Sequence, residues 1–78
     1  MTNTQKLLSH LKTCKAFTIK EVYKWLNVNN PYDVILKARK VKKIDSIQVQ
    51  NKGKRFTVYY ISKAAADRYI KKYNYQVR

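Results

Sequence analysis

The sequence predicts a small α+β fold: three helices, a two-stranded β-hairpin and a C-terminal helix, all in one domain spanning residues 1–78. Three observations predict it. Apolar residues recur at helical spacing up to residue 43, alternate with period two between residues 44 and 60, and return to helical spacing after Ser62. A 78-residue chain has room for one modest core, since a domain this short buries only about 60% of its unfolded surface. A hydrophobic fraction of 45%, with one Gly and one Pro, belongs to a folded chain and not to a disordered one.

The first helix is expected from about Thr4 to Lys12, because Leu7, Leu8 and Leu11 share a face after the polar start Thr2-Asn3-Thr4. The second should run from Ile19 to Leu26. Thr18 followed three residues later by Glu21 has the spacing of a capping box, with Phe17 and Val22 placed as a hydrophobic staple. Ile19, Val22 and Leu26 form its buried stripe, and Trp25 packs at the edge. The third helix follows a tight turn, Asn27 to Pro31, with Asn30 as N-cap, Pro31 at the first helical position and Asp33 in the favourable first turn. Val34, Ile35, Ala38 and Val41 share one face of it, while Tyr32, Asp33, Leu36, Lys40 and Lys43 cluster opposite.

Strands then alternate Ile47 and Val49 with Ser46, Gln48 and Gln50, and Phe56, Val58 and Tyr60 with Thr57 and Tyr59. A loop at Asn51-Lys52-Gly53-Lys54 sets Gln50 opposite Arg55, Val49 opposite Phe56 and Ile47 opposite Val58. Ala66, Tyr69, Ile70 and Tyr73 place the closing helix at about residues 63–73, packed on its own domain or on a second copy. Residues 74–78 are short and polar, and are expected to be flexible. Tyr60, Tyr69 and Tyr73 fall on inward faces, which leaves Tyr32 and Tyr59 as the freer rings.

Eighteen Lys and Arg against Glu21, Asp33, Asp45 and Asp67 give a formal charge of +14. Self-repulsion on that scale implies a polyanionic partner. The apolar runs are far shorter than the ~20 residues of a membrane span, and the first residues lack a signal peptide's apolar segment. A cytoplasmic, nucleoid-associated protein is expected. One cysteine, Cys14, and one histidine, His10, make neither an internal disulfide nor a four-ligand zinc site, so no metal or cofactor is expected.

Helix, helix, short turn, helix and basic-tipped hairpin is the order of a winged helix-turn-helix, in which the third helix enters the major groove and the hairpin is the wing. Eight cations, Lys37, Arg39, Lys40, Lys42, Lys43, Lys52, Lys54 and Arg55, lie between residues 37 and 55 against Asp45 alone. Duplex DNA binding is therefore expected through Asn29, Asn30, Tyr32, Leu36, Lys37, Lys40 and Lys43 of the turn and third helix, and through Lys52, Lys54 and Arg55 of the wing. Lysines and arginines supply affinity through phosphates; base choice has to come from the front of the helix.

Each residue also has a plainer reading. Capping alone accounts for Asn30, dipole stabilisation for Asp33, and solubility of a hairpin edge for the wing cations. Arg39 can pair with Glu21 as readily as with phosphate. Leu36 can meet thymine methyls, meet a protein partner, or be an ordinary exposed leucine. An enzyme is not expected: no pair of acids shares a face, and there is no Gly-rich phosphate loop. His10 and Cys14 lie four apart, but Cys14 reads more simply as a small core residue.

These residues resemble the short helix-turn-helix proteins of bacteriophages and prophages over about Asn3 to Ile61. The resemblance rests on Thr4-Gln5 with Leu7-Leu8 and Leu11-Lys12, Phe17-Thr18 with Glu21 and Leu26, Ile35 with Arg39-Lys40, and Asn51-Lys52-Gly53-Lys54-Arg55 leading into Val58-Tyr59. It implies a winged fold and DNA-associated phage biology in a bacterial host, such as a transcription regulator or accessory factor. Two positions depart from the pattern: Asn27 stands where Gly is common, and Ala38 where Leu is common. Asn tolerates the left-handed backbone, whereas Ala38 thins the core unless Trp25 or a tyrosine fills the space. Two other readings compete with duplex binding. Single-stranded nucleic-acid binding would use tyrosine platforms such as Tyr32, and a protein-interaction module would engage a host factor or a second copy through Leu36 and the last helix.

Overall fold

The computed structural model describes residues 2–77, which form four helices and a four-stranded antiparallel sheet. In chain order these are α1 (Asn3–His10), β1 (Ala16–Thr18), α2 (Ile19–Leu26), α3 (Pro31–Val41), β2 (Asp45–Asn51), β3 (Lys54–Tyr60), α4 (Lys63–Lys72) and β4 (Gln76–Val77). The sheet order is β1-β3-β2-β4. The hairpin register is the one the alternation predicts, with Ile47 opposite Val58, Val49 opposite Phe56 and Gln50 opposite Arg55. Its two-residue loop, Lys52-Gly53, has φ values of 52° and 82°, the double left-handed geometry that matches strand twist in a tight hairpin.

Helix ends follow local chemistry. Thr2 and Gln5 exchange backbone-to-side-chain bonds of 2.9 and 3.2 Å, closing a capping box at the start of α1. The box expected at α2 does not form: Thr18 makes no side-chain cap bond, and the Glu21 carboxylate, which would have reached back to it, accepts from the Tyr69 hydroxyl instead. Asn30 caps α3 through Asp33 N–H at 3.4 Å, with Pro31 next to it. Asn27 ends α2 with φ 50°, so asparagine does fill the position where glycine is common.

The sheet has a core on each face. On one face α1, α2 and α3 enclose Leu7, Leu11, Phe17, Val22, Val34, Ile35, Ala38, Ile44 and Tyr59. On the other, α4 lays Ala66 and Ile70 over Ala16, Val49 and Val58. This two-sided burial corrects the assignment of free rings. Tyr59 is 9% exposed and stacks on Phe17 at 5.6 Å, while Tyr73, expected inside, is 45% exposed. Ala38 is fully buried, in the same cluster as Tyr59, with Trp25 packed against that cluster.

Two further expectations are overturned. Val41 is 70% exposed, because the chain turns extended at Lys42 (φ −136°, ψ 141°) and Ile44 enters the core in its place. Cys14 is exposed, since α1 ends at His10 and the cysteine falls in the connection to β1. Residues 74–77, expected to lack an anchor, have one. Asn74 (φ 56°) and the bonds Asn74 N–H to Lys71 O (3.2 Å) and Tyr75 N–H to Ile70 O (3.0 Å) make a Schellman end to α4. The chain then returns to pair Val77 with Val49 and Gln76 with Gln50. Arg78 lies outside the described residues. The apolar face of α4 is thus covered by its own sheet, and a second copy would meet its outer side.

Candidate nucleic-acid interface

The third helix presents its residues by simple rotation. Val34, Ile35 and Ala38 point into the core, so the opposite side carries Leu36 and Lys40, flanked by Asp33 and Lys37. Tyr32 and Leu36, one turn apart, are 58% and 57% exposed. Lys37 pairs with Asp33 at 3.1 Å, but both side chains are more than half exposed, which limits the pair to about 0.3–0.5 kcal/mol. A phosphate can displace that carboxylate at little cost.

Tyr32 and Arg39, seven residues apart, share one flank of α3. Burial pushes the Tyr59 pKa up, with Tyr32 adding to the rise and Arg39 opposing it. Arg39 makes no ion pair among the described residues, and the pairing with Glu21 that its position allowed is not made. Its charge is available on the surface between helix and sheet.

The sheet continues that surface. Tyr59 faces the helices and Ser46 is its partner across the ladder, so Ser46, Gln48 and Gln50 of β2 and Arg55 and Thr57 of β3 share the helix-side face. Ser46, Gln48 and Arg55 are exposed, beyond the cover of the helices. The result is a polar face running from the α3 flank towards the hairpin tip, where Lys52, Lys54 and Arg55 are all exposed. Six strand steps separate Asp45 from Asn51, so the tip stands about 20 Å from the end of α3.

All ten expected contact residues, Asn29, Asn30, Tyr32, Leu36, Lys37, Lys40, Lys43, Lys52, Lys54 and Arg55, are exposed. They form two groups, one on α3 and the segments flanking it and one at the hairpin tip, bridged by Arg39, Ser46 and Gln48, which were not among the expected contacts. Lys43, expected on the outer face of the third helix, instead lies in the connection to β2, because α3 ends at Val41 and the chain turns extended at Lys42. The alternation of Ser46 and Gln48 with Ile47 and Val49 marked a polar face; only the helices decide which way it looks.

The His10 ring stacks flat on Trp25, centroids 4.6 Å apart and 9° from parallel, and the bond joining His10 to Cys14 is between backbones, Cys14 N–H to His10 O at 2.9 Å. Among the described residues no group of three or more His, Cys, Asp or Glu side chains is placed to hold a metal ion, and no helix is long and apolar enough to cross a membrane. Comparison of the chain with protein-family models, with curated proteins and with solved structures returns no match.

Proposed function

We propose that this chain is a winged helix-turn-helix protein that binds duplex DNA and catalyses no reaction. More particularly, we read it as a regulator or accessory factor of the kind that bacteriophages and mobile elements carry. The observation that carries the reading is the continuous polar and basic surface from α3 across the helix-side face of the hairpin to its tip. An 11-residue helix is about 16 Å long and of a width that a major groove of about 12 Å admits. A hairpin tip about 20 Å away is within reach of the flanking phosphate backbone. The element order and the strand order β1-β3-β2 suit the same architecture, with α3 as the groove helix and the hairpin as its wing.

Phosphate contacts belong to Lys37, Lys40, Lys43, Lys52, Lys54 and Arg55, each worth about 0.9 in the salt slope of duplex binding. Tyr32, Leu36, Arg39 and Gln48 are the side chains with the chemistry to distinguish bases, by methyl contact, bidentate donation or an amide. Fluorescence anisotropy on a labelled duplex of about 20 base pairs across a salt series tests the reading. Tight binding with a slope of several units is expected, with loss on changing Lys40, Lys52, Lys54 and Arg55 together to Glu. Binding unchanged by those four substitutions would sink it.

A protein-interaction role is favoured by one observation, the adjacent exposed Tyr32 and Leu36 on α3. It predicts a complex that survives nuclease treatment and is lost in Leu36→Glu.

A further inference from the structure

The hairpin has a second concave side. β1 pairs with β3 only from Val58 to Tyr60, so residues 54–57 of β3 carry no strand on that edge among the described residues. The chain turns there from β1 into α2, and a groove of about 370 Å³ opens between the start of α2 and the distal half of the hairpin. Lys20, Lys52, Lys54 and Arg55 line it, and Phe56 and Tyr75 form its aromatic wall. None of the four acids of the chain, all of which are described, is among its lining residues.

The two rings are held in place. Tyr75 meets Phe56 edge to face at 4.6 Å and stacks on Tyr73 at 5.4 Å and 15°. Its position is set by the Schellman turn at Asn74 and by the β2–β4 pairing that follows. Both rings remain half-buried, with part of each surface in the groove. Four cations around one cleft repel one another, and an anion relieves that repulsion. An anion alone leaves the aromatic wall unused. A nucleotide satisfies both, with its phosphate on the cations and its base against the rings, the pairing of charge and stacking by which single strands are held.

We propose that this groove binds one unpaired nucleotide of a nucleic-acid strand, at a site distinct from the α3 surface. The inference shares with the duplex reading its class of partner and the hairpin cations Lys52, Lys54 and Arg55, but none of its α3 residues. Protein docked through α3 and the hairpin would then favour duplex that ends in, or adjoins, an unpaired stretch. The single-strand platform lies at Phe56 and Tyr75, and not at Tyr32.

The test uses the full chain and labelled pentathymidylate at low salt, beside a pentamer of abasic sites with the same phosphates. Pentathymidylate is expected to bind about tenfold more tightly than the abasic strand, with that advantage lost in Tyr75→Ala and kept in Tyr75→Phe. Lys20→Glu, on the exposed side of α2 and outside both cores, weakens both strands without touching the fold, which guards against a Tyr75→Ala variant that fails to fold. Lys40→Glu leaves pentathymidylate binding unchanged even where it abolishes duplex binding, so failure of the duplex reading is separable from failure of this one. Equal affinity for the thymidylate and abasic strands, or an advantage that survives Tyr75→Ala in folded protein, overturns the proposal.

Discussion

Tyr69 and Glu21 are 48 positions apart in the chain, yet the tyrosine hydroxyl donates to the glutamate carboxylate and ties α4 to α2. Burial, followed by that bond and the nearby carboxylate charge, raises the Tyr69 pKa far above its ordinary value of 10.0. Tyr75 moves the same way, through burial first and then Tyr73 and Glu21. A tyrosine that holds its proton more tightly when folded contributes stability that is complete below the unfolded value and is lost as pH rises above it. Stability should therefore fall above about pH 10, with a shallower fall in Tyr69→Phe. The difference between the two proteins is the quantity to read. At neutral pH Tyr69→Phe should cost about 1–2 kcal/mol, the lower part of the range for a bond to a charged group, because both side chains are only half-buried. Urea unfolding of the two proteins at pH 7 and pH 10.5 would check both statements, and equal pH dependence would remove Tyr69 from the account.

At the scale of elements, the hairpin is the one whose local conformation and expected function pull apart. Lys52 holds φ 52°, a left-handed backbone in which a lysine is disfavoured and an asparagine accommodated. Gly53 at φ 82° has open space around its missing Cβ, so glycine is needed there for backbone freedom and not for room. Lys52→Asn should stabilise the hairpin by a few tenths of a kcal/mol up to ~1. The same change removes a tip charge and should lower the duplex salt slope by about 0.9. Thermal unfolding and the anisotropy salt series measured on the one variant check the pair. A more stable protein with an unaltered slope would mean that Lys52 makes no phosphate contact.

At the scale of the whole molecule, +14 charges surround two small half-cores within principal extents of 35 × 25 × 18 Å. Only two ion pairs offset them among the described residues, Lys37–Asp33 and Lys63–Asp67, and both are exposed. Exposed charges at such separations are screened within about 10 Å at 0.1 M salt, so raising NaCl from about 20 to 200 mM should stabilise the fold. A gain of about 1 kcal/mol corresponds to a melting-temperature rise of about 4–8 °C for a domain of this size. Saturating duplex should raise it further by mass action. A melting temperature that falls with salt would show that attractive pairs, and not net repulsion, dominate the surface.

The sequence by itself determined what period and capping can carry: the existence of all three N-terminal helices, the hairpin with its register, the closing helix, and the clustering of cations along α3 and the hairpin. Those are local properties, legible in residues such as Asn30-Pro31 and Asn51 to Lys54, because backbone preference and charge need no distant partner. Tertiary structure decided what alternation leaves open. Val58 and Tyr59 are neighbours on opposite faces of β3, and both are buried because α4 closes the second face; no period distinguishes that from one buried side. Glu21 is drawn from its own helix cap by Tyr69, Ile44 replaces Val41 in the core, and Tyr75 reaches Phe56 only because β4 returns to β2. The candidate interface divides the same way. Its charges are written in the chain, but the polar face joining them, and the groove behind the hairpin, exist only once β1 and β4 have paired across long separations.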